Sequence, residues 1–171
     1  MYVITSMSYD ELGTLIREKR VTLNNAELLF GDQDDDVDEY MRECVGYKGY
    51  TLGIRGRLNP VTAEVMSAVD SRVLSRGTVI LEAQVPDEEV IQFNLEELGN
   101  LKLLLDYGFD KDSLWEQLDL ARETQSPDGS VEILCVPFIS IKWRIRVTAL
   151  VDNLEFSTQD IEFVKVRGTA G

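Results

Sequence analysis

The sequence predicts an α+β fold: a single globular domain, residues 1–171, in which four or so helices pack on a mostly antiparallel sheet. Three observations lead there. The chain has 171 residues, 44% of them apolar, which suffices for one hydrophobic core and is cramped for two. Helical periodicity is concentrated between residues 94 and 123, while alternating apolar and polar residues dominate after 131, a grouping that favours α+β. No internal repeat and no linker rich in Pro, Gly or Ser divides the chain.

Taken in order, Tyr2–Thr5 reads as a short strand. Ser8-Tyr9-Asp10-Glu11 has capping-box spacing, and Leu12, Leu15 and Ile16 follow at helical intervals to an end near Lys19-Arg20. Tyr40–Val45 is expected as a short helix. Residues 46–59 (GYKGYTLGIRGRLN) hold four glycines and read as the most loop-like part of the chain. Asn59-Pro60 then starts a helix over Val61–Val73. Thr78–Ala83 is a strand, Val85–Glu88 a turn and Val90–Phe93 a second strand. Asn94 caps a helix whose Leu95, Leu98, Leu101, Leu104 and Leu105 form an apolar stripe, stopped by Tyr107-Gly108. Asp112 starts the next helix, with Leu114, Trp115, Leu118 and Ala121 on one face. Ser126-Pro127-Asp128-Gly129 is a turn signal. Val131–Val136, a long strand over Phe138–Val151, and Asp160–Arg167 complete the sheet.

Composition removes several function classes. The chain has no histidine, so His-based triads, His metal sites and the usual near-neutral general base are excluded. Cys44 and Cys135 fit no metal spacing and read as reduced core residues of a cytoplasmic protein. The N-terminus lacks the basic start and apolar core of a signal peptide, and no apolar run approaches a membrane span. Seventeen basic and 31 acidic side chains give a net charge of −14, which repels nucleic acid and anionic membranes and favours a basic partner.

The charge is unevenly placed. GDQDDDVDEYMRE, residues 31–43, carries five Asp and two Glu. From Glu82 to Glu123 there are twelve acids and three bases, whereas from Arg42 to Arg76 there are six bases and three acids. Asp32, Asp34, Asp36 and Glu43 match the first, third, fifth and twelfth places of a calcium loop, but Val37 stands where that loop needs Gly and Glu39 where it needs an apolar anchor. The acidic stretch is therefore expected as a charged surface and not as a metal site. The predicted contact surface comprises Asp34, Asp35, Asp36, Asp38 and Glu39 with Asp106, Asp110, Asp112 and Glu116 on the later helices. Spaced carboxylates on a rigid surface mimic phosphate rows and fit a basic groove meant for nucleic acid.

Two basic features stand apart. Arg55 and Arg57 lie in the glycine tract, where guanidinium groups would bind an anion or pair with the chain's own acids. Lys142, Arg144 and Arg146 lie at every second position of the long strand. They form either a floor for an anionic ligand or a polar face covered by acidic side chains, and the sequence leaves both open.

YVITSMS leading into DELGTLIREKRVTL resembles the entry of small ADP-ribosyltransferase-like domains of bacteria and phages. GTVILEAQVPDEEVIQFN and IEFVKVR are similar to a bacterial domain family grouped with them. The resemblance implies a split β fold, NAD as cofactor and ADP-ribose transfer, with Glu162 in the place of the catalytic Glu. It also implies a cation on the first strand, where this chain has Ile4 and Thr5. The expectation of first choice is a non-enzymatic acidic protein without a cofactor, of the kind phages encode against host nucleic-acid-binding or defence enzymes. An NAD-binding relative is the alternative.

Overall fold

The computed structural model describes residues 1–26, 35–56, 79–126, 132–150 and 159–160, with side chains up to residue 146. The first strand, β1 (Tyr2–Met7), leads directly into α1 (Tyr9–Glu18). The capping box closes as expected: Ser8 Oγ accepts from the Glu11 amide at 3.1 Å, and Glu11 Oε1 accepts from the Ser8 amide at 2.9 Å. Lys19, in the left-handed region at φ 68°, ends the helix and turns the chain into β2 (Arg20–Val21).

The next two elements correct the expected ones. The helix expected over Tyr40–Val45 begins earlier, as α2 (Asp35–Val45). Asp35, Asp36 and Asp38 occupy its first turn, where carboxylates meet the positive end of the helix dipole. The glycine tract is not a loop throughout, because Thr51–Arg55 forms β3, paired with β1. Gly53 makes that pairing possible. A Cβ there would lie 2.6 Å from the Ile4 carbonyl oxygen and 2.7 Å from Val3 Cγ1, so only glycine lets the two strands approach.

Next come β4 (Val79–Gln84), a 3₁₀ turn (Asp87–Glu89) and β5 (Ile91–Asn94). Asn94 Oδ1 accepts from the Glu96 and Glu97 amides and starts α3 (Leu95–Asp106). Asp110 caps α4 (Lys111–Glu123), one residue ahead of the expected start. The remaining described strands are β6 (Glu132–Val136), β7 (Ile139–Ser140), β8 (Arg144–Leu150) and β9 (Gln159–Asp160).

The single long strand expected over Phe138–Val151 is thus two strands in two sheets. A turn over 141–143 separates them, with the Trp143 amide donating to the Ser140 carbonyl at 3.1 Å. The reason is aromatic packing. In one continuous strand Phe138 and Trp143 would lie about 16 Å apart. Here their rings stack, with centroids 5.7 Å apart and planes 8° from parallel. The expected helix over 61–73, most of the Ser126–Gly129 turn and the segment after Asp160 lie outside the described residues.

The fold is α+β. Among the described residues, four helices pack with a seven-stranded sheet in the order β5-β6-β3-β1-β4-β8-β9, all of whose pairings are antiparallel, and β2 and β7 form a separate ribbon. Alternation along β1 gives each sheet face its own core. Ile4, with Leu52, Ile54 and Ile133, packs under α2, α3 and α4. Val3 and Met7, with Leu81 and Leu134, pack with Leu15 of α1 and with Val21 and Ile139 of the ribbon.

The register sets one row across the whole sheet: Asp160, Arg146, Glu82, Ile4, Ile54, Ile133 and Phe93 are successive ladder partners. Directly opposed residues share a face, so the row is charged where Arg146 faces Glu82 and apolar under the helices.

Candidate functional site

The acidic stretch and the helical acids meet at one end of the helical layer. Lys111 Nζ lies 2.9 Å from Glu39 Oε2 and 3.9 Å from Asp36 Oδ1, so the start of α4 is held against the first turns of α2. The hydrogen bond to Glu39 holds the Lys111 ammonium above its ordinary pKa. The same ammonium stands 5.0 Å from the centre of the Trp115 ring, which packs edge-on against Tyr40 at 5.1 Å. Further along the two helices, the buried Tyr40 hydroxyl donates to Asp119 Oδ1 at 2.6 Å, and Arg122 Nη1 donates to Cys44 Sγ at 3.5 Å. Burial first, then the Asp119 hydrogen bond, pushes the Tyr40 pKa up, and burial raises that of Cys44. A thiol so raised is a weak nucleophile at neutral pH. This cluster joins α2 to α4 and fixes the surface above it.

Asp35, Glu39, Asp106, Asp110, Asp112 and Glu116 are exposed on that surface, and Asp36 is half-buried. Asp38 differs from the other expected contacts. It is 7% exposed, turned inward and paired with Arg42 one turn later. Asp110 is engaged as the α4 cap, and the Ser113 amide holds its carboxyl below the usual range. Asp34 lies outside the described residues.

Next to Asp106, Asp110 and Asp112 in the chain stand exposed apolar residues absent from the sequence-based expectation. Tyr107 is 79% exposed, Leu103 57% and Phe109 51%. Gly108, at φ +69°, turns the chain between α3 and α4 and leaves both aromatic rings in solvent. The signal was present in the spacing. Leu103 falls outside the stripe formed by Leu95, Leu98, Leu101, Leu104 and Leu105, and Tyr107 and Phe109 flank a glycine between two helices. Large apolar side chains crowded at a helical corner and rimmed by charge mark contact surfaces.

The expected anion sites do not come together. Arg55 Nε lies 4.0 Å from Glu132 Oε2 and its guanidinium reaches the Met1 sulfur, so it serves the chain's own side chains. Arg57 lies outside the described residues. Lys142 belongs to the turn after β7 and not to a strand, Arg144 is exposed opposite Gln84, and Arg146 stands in the ladder between Glu82 and Asp160. The basic strip is therefore broken, and Arg146 stands directly opposite the chain's own Glu82.

Residues 35–43 are helical, so the acidic stretch does not form a calcium loop, which needs non-helical backbone over most of its length. Among the described residues no three His, Cys, Asp or Glu side chains gather as a metal site, and no helix is long and apolar enough to cross a membrane. A cleft of about 240 Å³ lined by Gln92, Phe93, Arg122, Thr124, Gln125 and Glu132 lies beside the sheet edge, below the range common for small-molecule sites. On β1, where the ADP-ribosyltransferase resemblance implies a cation, Ile4 and Thr5 are buried, and the Thr5 hydroxyl donates to the Leu52 carbonyl. Glu162 lies outside the described residues. No protein-family model, curated protein or solved structure matches this chain.

Proposed function

We propose that this protein is an acidic interaction protein that binds, and by occupying it inhibits or modulates, a positively charged protein partner. The observation that carries this reading is the α2–α4 end, where Lys111 joins the acidic first turns of α2 to the start of α4, just after the exposed Leu103, Tyr107 and Phe109 and their sequence neighbours Asp106, Asp110 and Asp112. The two components have separate physical tasks. The carboxylates steer a basic partner and accelerate encounter, and this effect falls with ionic strength. The aromatic and leucine side chains supply the desolvated anchor from which most binding free energy at interfaces comes. The partner chemistry that fits is a basic groove built for nucleic-acid phosphates, whose positions the carboxylates of Asp106, Asp112, Glu116 and Glu39 would take.

The test is affinity capture with the immobilised protein at about 0.15 M and 1 M salt, with identification of the retained proteins. The proposal requires basic, nucleic-acid-binding proteins that are retained at the lower salt, released at the higher, and displaced by polyanions such as heparin. Retention of nothing at the lower salt, or of proteins indifferent to salt and heparin, overturns it.

A further inference from the structure

The chain also carries a surface of opposite character. At the β2–β7 ribbon, Arg20 Cζ lies 5.6 Å from the centre of the Tyr47 ring and 5.3 Å from that of Phe138. Tyr47 meets Phe138 edge-on at 5.3 Å, and Phe138 stacks on Trp143. These three half-buried rings form a short aromatic ladder with a guanidinium on one side. Four more exposed cations lie close to its residues in sequence. Arg17 and Lys19 lead into β2, Lys48 follows Tyr47, and Lys142 precedes Trp143. The Ile141 amide donates to the Lys19 carbonyl at 2.8 Å, which draws the Lys142 turn against the end of α1. None of these five cations makes an ion pair with a described residue, in a chain with 31 acids. Exposed Glu18 and Glu43 lie beside these residues in sequence without an ion pair to them, and the five cations outnumber them.

The two surfaces lie at opposite ends of α2. Lys111 and the α3–α4 corner stand at its first turns, beside Glu39. Tyr47 stands two residues beyond its last residue, Val45. An eleven-residue helix is about 16 Å long, so the poles are held apart by a rigid rod and one molecule cannot bring them together. Two molecules can. The corner offers carboxylates around exposed aromatic side chains, and the ribbon offers cations around partly exposed ones.

We infer that the occupant of the basic aromatic ribbon is the acidic α3–α4 corner of a second copy of this chain, giving a head-to-tail contact. The inference rests on the acidic corner being a binding surface, as in the proposed function, and adds the ribbon and the identity of one partner. Because the two surfaces differ, the contact is heterologous and propagates beyond a dimer. The net charge of −14 opposes association over long distances. At physiological ionic strength that repulsion is screened beyond about 8 Å, while the local pairs at the contact remain. Self-association also competes with a basic partner for the corner.

Sedimentation velocity on the full chain at increasing concentration tests this. Two variants accompany the wild type. One neutralises the corner (Asp106→Asn, Asp112→Asn, Glu116→Gln) and leaves the Asp110 cap intact. The other neutralises the ribbon (Arg20→Gln, Lys48→Gln, Lys142→Gln). Circular dichroism and melting establish that both fold. In 0.15 M salt the wild type is expected to grow past dimer with concentration, and each variant alone to stay monomeric. An equimolar mixture of the two variants is expected to stop at a 1:1 complex, because each supplies the one surface the other lacks. A wild type that stays monomeric, self-association that survives either set of changes, or a mixture without a 1:1 complex overturns the inference. Affinity capture separates the two readings. A monomeric wild type that still retains basic proteins defeats only this inference, whereas a self-associating wild type that retains none defeats the proposed partner.

Discussion

Lys111 Nζ meets Glu39 Oε2 at 2.9 Å across 72 residues of sequence, and with the Tyr40–Asp119 hydrogen bond this contact joins the two acidic parts of the chain. It also places a cation between them. Replacing Lys111 by Gln is expected to leave the fold intact, since the pair is exposed and such pairs contribute little to stability. The local negative potential rises, so stopped-flow association with a basic partner should accelerate about two- to fivefold at low salt and lose that gain at high salt.

Tyr107 and Phe109 carry the anchor role. Both are exposed, so Tyr107→Ser with Phe109→Ser should not lower the melting temperature. Affinity for the captured basic partner should fall about tenfold or more, chiefly through faster dissociation in a surface plasmon resonance measurement.

Gly53 is a packing requirement at the centre of the sheet. Alanine at this position would drive its Cβ to 2.6 Å from the Ile4 backbone oxygen, which cannot swing aside as a side chain would. Gly53→Ala is expected to cost about 2–3 kcal/mol in urea unfolding, whereas Gly99→Ala, with open space around the new Cβ, should be neutral or stabilising.

The fully buried Cys135 thiol makes stability depend on alkaline pH. Burial raises its pKa above the ordinary value near 9, so the folded chain keeps the proton that the unfolded chain gives up. The unfolded state then binds fewer protons, and stability falls as pH rises. The contribution is complete below pH 9 and is lost above it, by up to about 1.4 kcal/mol per pH unit for this group. Denaturant melts between pH 8 and 11 should show that decline, and Cys135→Ala should have a shallower slope despite a lower stability at pH 8.

What the sequence made legible was local. Ser8 and Asn94 announce their helices because a cap depends on residues within three positions, and the α3 stripe follows from spacing alone. Strand β3 was hidden because glycines signal loops, and the reason for Gly53 lies in the approach of β1, some fifty residues earlier. The break between β7 and β8 was equally hidden, since alternation runs through it and the stacking of Phe138 on Trp143 outweighs that pattern. The acids of the contact surface were legible as charges. Their union through Lys111, the inward turn of Asp38 and the crown of Leu103, Tyr107 and Phe109 depend on how helices separated in sequence are packed.

The proposed function stands or falls with the acidic corner as a binding surface. The most direct measurement is the affinity of the partner retained by the wild type for the variant Asp106→Asn, Asp112→Asn, Glu116→Gln, by calorimetry at about 0.15 M salt, with the melting temperature of both proteins as a folding control. A loss of about tenfold or more with an unchanged melting temperature is expected. An affinity equal to that of the wild type would contradict it.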